Sequence, residues 1–63
     1  MPKTMVRVKL ASEDGNAYSI MVKVRAALRK EGHKNLIEEF TKEASSGDYD
    51  HLLQTVMKYV IVD

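Results

Sequence analysis

Sixty-three residues and no cysteine is the constraint that limits this chain most. Folding at this length buries only about 60% of the surface the extended chain exposes, near the lower limit for a domain that stands alone. Burial worth about 25 cal/mol per Å² then comes close to cancelling an ordering entropy of about 1.5 kcal/mol per residue. Neither a disulfide nor a thiolate-bound metal can supplement the core. The expectation is one small domain over residues 1–63, in which nearly every apolar position is needed inside.

Composition narrows the class. Charged residues are 30% and hydrophobic ones 44%, the balance of a folded globular chain. The longest apolar run, Tyr59–Val62, falls far short of the roughly 20 residues a membrane span requires. No apolar segment of signal-peptide length follows the basic residues 1–10. A cytoplasmic setting without membrane contact is therefore expected.

Periodicity supplies the elements. Residues 5–10 alternate, with Val6, Val8 and Leu10 on one side and Met5, Arg7 and Lys9 on the other, which predicts a strand with one wet face. Ser12–Asn16 reads as a turn, with Asn16 capping a helix. Over residues 17–31, Ala17, Ile20, Met21, Val24, Ala27 and Leu28 fall on one helical face, and Gly32 is the expected stop. Asn35 with Glu38 suggests a capping box for a second helix carrying Leu36, Ile37, Phe40 and Ala44, with Glu38–Lys42 as a favourable pair. Asp48 is the expected cap of a short third helix with Tyr49, Leu52, Leu53, Val56 and Met57. Tyr59–Val62 is β-branched and aromatic and reads as a second strand. The predicted class is α+β, order β-α-α-α-β, with a two-stranded sheet packed on two long helices and one short one. If the helices alternate in direction and the last runs straight into its strand, residues 5–10 and 58–62 pair antiparallel.

Certain blocks go further than periodicity. Asp14-Gly15-Asn16-Ala17-Tyr18 opens the first helix, and Ala27-Leu28-Arg29 precedes Gly32. Ser46-Gly47-Asp48-Tyr49-Asp50-His51-Leu52-Leu53 opens the last helix, and Tyr59-Val60-x-Val62 closes the chain. Over residues 6–62 the sequence resembles a family of short uncharacterised bacterial and bacteriophage proteins, with Tyr59 where that family often has Trp. The resemblance implies one intact domain in a cytoplasmic setting and no particular activity.

Chemistry-bearing clusters are sparse. Asp48 and His51 lie three apart and could share a metal only with a further ligand such as Glu13, Asp14 or His33. A helix cap explains Asp48 more simply. Glu13–Asn16 starts like a calcium loop, but Arg25 stands where the terminal glutamate belongs. Serines lack an elbow motif, the three glycines stand singly, and the chain is too short for a deep pocket beside a full core. A non-enzymatic protein is expected, with no catalytic residue, cofactor, metal or small-molecule ligand.

Charge is segregated beneath a net +1. Residues 1–10 carry +3, residues 23–34 carry +4 and residues 38–50 carry −4. Arg7 and Lys9 on the strand, with Lys23, Arg25, Arg29 and Lys30 on the first helix, form a candidate nucleic-acid face. A basic alternating strand before helices is similar to ribbon-helix-helix binders, with Lys30 or Lys34 on phosphates. The simpler account is a solvated face beside an acidic second helix. The final strand has no polar residue inside it, so its edge invites a partner or a homodimer. Tyr18, Val22, Tyr59, Val60, Ile61 and Val62 are the candidate dimer or partner surface. The leading functional expectation is a protein-interaction module, and the alternative a weak DNA- or RNA-binding module.

Overall fold

The computed structural model describes residues 1–10 and 16–63. The turn expected at Ser12–Asn16, with Glu13, Asp14 and Gly15, lies outside the described residues except for Asn16. The elements follow in the order β1 (Arg7–Val8), α1 (Ala17–Lys30), α2 (Lys34–Ala44), α3 (Tyr49–Tyr59) and β2 (Ile61–Val62). This is the α+β arrangement that the periodicity implies, with much shorter strands.

Helix ends follow local chemistry. The Asn16 side chain accepts a hydrogen bond from the Tyr18 amide at 2.8 Å, and Asp48 accepts one from the His51 amide at 2.9 Å. α1 closes in a Schellman motif: the His33 amide donates to Leu28 at 2.7 Å and the Gly32 amide to Arg29 at 3.2 Å. Gly32 has φ +84°, which is why glycine stands there. That motif also corrects the start of the next helix. α2 begins at Lys34, with His33 at its cap position and no side-chain capping bond, so Asn35 is already inside the first turn.

The core is continuous. Val8 from β1 with Val6 just before it, Ile20, Val24 and Leu28 from α1, Ile37, Phe40 and Ala44 from α2, and Leu52, Val56 and Tyr59 from α3 are all buried, as is Val60. The Phe40 and Tyr59 rings meet edge to face, with centroids 5.4 Å apart at 76°. Thr55 is fully buried and satisfies its hydroxyl on the His51 carbonyl at 2.8 Å.

β1 and β2 are parallel, with Arg7 opposite Ile61 and Val8 opposite Val62. The antiparallel expectation is thereby corrected, and the cause lies at the end of α3. The last carbonyls of a helix lack intrahelical partners. Here the Lys3 amide donates to Lys58 at 2.8 Å and the Thr4 amide to Tyr59 at 3.1 Å. The Thr4 hydroxyl also donates to the Tyr59 carbonyl at 2.7 Å and accepts from the Val6 amide at 3.1 Å. The N-terminal segment therefore begins where α3 ends and leaves beside β2 in the same direction. The Ile61 and Asp63 amides continue the ladder onto Val6 and Val8, at 2.8 and 3.0 Å.

The second correction concerns the last strand. Tyr59 ends α3 and Val60 is a one-residue connection, so only Ile61 and Val62 are strand. The exposed apolar edge is thus far shorter than the run Tyr59–Val62 suggests. Among the described residues, no helix is long and apolar enough to cross a membrane.

Candidate functional site

The acidic segment divides between two sides of α2. Glu39 and Glu43, four residues apart, face α3 and the N-terminal segment. Lys3 Nζ lies 2.6 Å from Glu39 Oε2, and Lys58 Nζ lies 2.6 Å from Glu43 Oε2. Between them the Tyr59 hydroxyl donates to Glu39 at 2.8 Å, with Glu43 at 3.1 Å, and Lys3 stands 5.2 Å above the Tyr59 ring. The phenol adds what an indole could not, an oxygen between two carboxylates.

This network makes stability depend on pH at both ends. The hydrogen bond from Lys3, then that from Tyr59, holds the Glu39 carboxyl below its ordinary 4.5, and Lys58 followed by Tyr59 does the same for Glu43. Groups depressed in the fold stabilise it above their unfolded values and lose that effect as pH falls through the folded ones. Hydrogen bonding to Glu39 raises Lys3 above 10.5, while burial and then the two carboxylates push Tyr59 well above 10.0. Those contributions are complete below the unfolded values and are lost as pH rises through the raised ones. Urea midpoints should therefore be flat near neutrality, fall below about pH 4.5 and fall again above about pH 10. Glu39→Gln and Glu43→Gln should each shrink the acid limb, and an acid limb unchanged in both variants would contradict this account.

The other side of α2 faces a different environment. Arg25 and Arg29 of α1 and Lys34 and Lys42 of α2 line an open groove of about 680 Å³ between the two helices. Ile37, Thr41, Ser45 and Ser46 complete it, and among the described residues Glu38 is the only carboxylate on its walls. Among the described residues, none of these four cations forms an ion pair, and Glu38 is not paired with Lys42. The acidic helix lies beside the basic one, but two of its carboxylates, Glu39 and Glu43, point away and are neutralised elsewhere. A shallower hollow at Val22 and Ala26 lies along the Arg25–Arg29 ridge.

The predicted nucleic-acid residues separate into two groups. Successive helical residues turn by about 100°, so Lys23 and Arg25 fall on nearly opposite sides of α1. Lys23 reaches back to β1, its Nζ 3.3 Å from the Lys9 carbonyl. Arg7 is exposed but bonded to Asp63, Nη1 to Oδ1 at 2.8 Å, and Lys9 is exposed beside it. Arg25 and Arg29 belong to the groove, and Lys30 is exposed in the last turn of α1. The structure thus brings Arg25 and Arg29 together with Lys34 and Lys42 rather than with Arg7 and Lys9. Lys42 was missed because it lies within an acidic stretch. The i, i+4, i+8 spacing of Lys34, Glu38 and Lys42 is the signal that could have found it.

The candidate partner surface also changes. Tyr18 and Val22 are exposed, at 74% and 44%, Val62 is marginally so at 37%, and Ile61 is half-buried. Tyr59 and Val60 are fully buried and cannot contribute, because one fills the core under α2 and the other turns inward between α3 and β2. The Asp48–His51 cluster is taken up by the helix junction. Asp48 caps α3, and His51 Nε2 lies 2.9 Å from the Glu43 carbonyl and 3.1 Å from Ser46 Oγ. A carbonyl only accepts, so Nε2 carries a proton and donates to the end of α2. His33, in the α1–α2 turn, is half-buried near Met5, Val6, Arg7 and Glu31. Comparison of the chain with protein-family models, with curated proteins and with solved structures finds no match, so the resemblance rests on the quoted residues and the site on its own geometry.

Proposed function

We propose that this chain is a small non-enzymatic interaction module that docks a partner protein on the groove between α1 and α2. One observation carries the reading: among the described residues, four cations line the groove without ion-pair partners while α2 turns two carboxylates, Glu39 and Glu43, to the opposite side. A solvated charged face needs no such division. The methylene stems of its arginines and lysines give the groove apolar surface, so a partner can bury apolar area as well as match charge. The nucleic-acid alternative is weaker on the same grounds. Arg7 is tied to Asp63, Lys23 lies on the other side of α1 from Arg25, and a net charge of +1 gives little long-range attraction for a polyanion.

The test is capture from the native host with the full chain, comparing wild type with Arg25→Glu/Arg29→Glu. Both side chains are exposed, so the substitutions should leave the circular dichroism spectrum and urea midpoint nearly unchanged. Reversing two wall charges should weaken partner retention by roughly tenfold or more, since like charges across an interface are strongly unfavourable. A partner set that is the same for both proteins would exclude this groove. Retention that disappears on nuclease treatment would transfer the function to nucleic acid.

A further inference from the structure

Resting on that reading, we infer that the groove accepts an amphipathic helix whose apolar stripe is flanked on both sides by acidic residues. Both walls are helices, and helical backbone groups are already hydrogen-bonded within their own helix. An extended segment laid between them would find few backbone partners for its own amides and carbonyls. A helix brings those bonds with it and presents only side chains.

Dimensions and charge agree. The α2 side of the groove runs from Lys34 to Ser45, about 16 Å or three helical turns, and faces about one turn of α1, Arg25 to Arg29. Along α2 the groove-facing positions Ile37, Thr41 and Ser45 recur at i, i+4 and i+8, with side-chain size falling along the row. Small residues of this kind let a third helix approach within the usual 8–10 Å. Arg25 and Arg29 stand on one wall, Lys34 and Lys42 on the other. Glu38 stands between Lys34 and Lys42, yet each wall keeps a positive balance, which calls for carboxylates on both sides of the occupant's apolar stripe. A phosphodiester backbone would match the charge but leave the methylene stems of the arginines and lysines without apolar partners. A second copy of this chain does not meet the requirement. Groove against groove sets cation against cation, and Glu39 and Glu43, which lie together on α2, are held by Lys3 and Lys58.

Selection from a displayed library of random peptides of about 16 residues, long enough for four helical turns, tests this on the full chain. Enriched sequences should carry apolar residues at helical spacing with Asp or Glu on both flanks. Their binding should weaken roughly tenfold with Arg25→Glu/Arg29→Glu and comparably with Lys34→Glu/Lys42→Glu, because both walls take part. Circular dichroism of each variant confirms that the fold is retained. The inference is overturned if no peptide enriches, if enriched peptides lack an acidic excess or are proline-rich, or if only one wall matters. In those cases host proteins still captured through Arg25 and Arg29 would leave the interaction reading standing. A duplex oligonucleotide that binds at the groove when no acidic peptide does would remove both.

Discussion

Phe40→Ala should unfold a large fraction of the molecules at room temperature. Phe40 is fully buried and is the chain's only phenylalanine. Its ring meets Tyr59 edge to face, at the point where α2 packs on α3. Removing a buried phenyl ring costs about 3–5 kcal/mol, part from lost transfer energy and part from the cavity left behind. At about 0.05–0.15 kcal/mol per residue, the whole stability of 63 residues is about 3–9 kcal/mol, so one side chain rivals the total. The effect should also spread. Tyr59 depends on Phe40 for its ring contact and holds Glu39 and Glu43 through its hydroxyl, so the lysine–carboxylate network loses its centre. Urea denaturation followed by far-ultraviolet circular dichroism is the measurement. Phe40→Leu, which keeps most of the volume, should lose far less. A Phe40→Ala midpoint within error of wild type would mean that the α2–α3 contact is not where stability is concentrated.

That concentration explains how much of the fold could be read in advance. Helix identity was legible because the apolar positions of α1, α2 and α3 recur at helical spacing and because Asn16, Gly32 and Asp48 each have the chemistry of the end they occupy. The strands were legible in character only. Val6 and Val8 do point inward and Met5, Arg7 and Lys9 outward, but the ladder stops after two residues in each strand. Strand direction was not legible, because it depends on a contact between Lys3–Thr4 and Lys58–Tyr59, far apart in the chain. No local pattern announces that a helix's last carbonyls will be met by the other end of the molecule. Tyr59 was misplaced for a related reason. A β-branched and aromatic run has strand propensity, but propensity yields to packing when the ring can fill the core beside Phe40.

The candidate site was half legible. Arg25 and Arg29 stand out as cations on the polar side of α1. Their separation from Lys23 was also available, since residues two apart fall on different sides of a helix. What could not be read was the pairing of Glu39 and Glu43 with Lys3 and Lys58, which leaves the groove positive. Segment charge suggested that the acidic helix would neutralise its basic neighbour. Side-chain direction decides otherwise: of the carboxylates on α2, only Glu38 lines the groove.

Gly47→Ala should destabilise the wild-type chain yet stabilise a chain that already carries His51→Gly, which removes the Cβ as well as the ring. Gly47 sits between α2 and α3 without a positive φ, so alanine meets no backbone strain there. The obstacle is the His51 ring. A Cβ at position 47 would lie 2.7 Å from His51 Cγ and 2.8 Å from its Cβ, too near the backbone for the ring to swing clear cheaply. Moving the ring also removes the bond from Nε2 to the Glu43 carbonyl, 2.9 Å long, which helps to cap α2. Overpacking of this kind costs about 1–3 kcal/mol. His51→Gly alone should cost about 0.5–1.5 kcal/mol for the lost hydrogen bond and about 1 kcal/mol more for glycine within α3. With both the ring and Cβ of residue 51 gone these contacts disappear, and replacing Gly47 restricts the unfolded chain, a gain of about 0.4–1 kcal/mol. The sign of the Gly47→Ala effect should therefore reverse between the two backgrounds, giving a coupling energy within the 0.5–3 kcal/mol range seen for residues in contact. The four urea midpoints of this double-mutant cycle decide the matter. If the two effects simply add, Gly47 is not required by the histidine, and the Ser46–Leu53 block needs another explanation than the fit of an imidazole against a residue with no side chain.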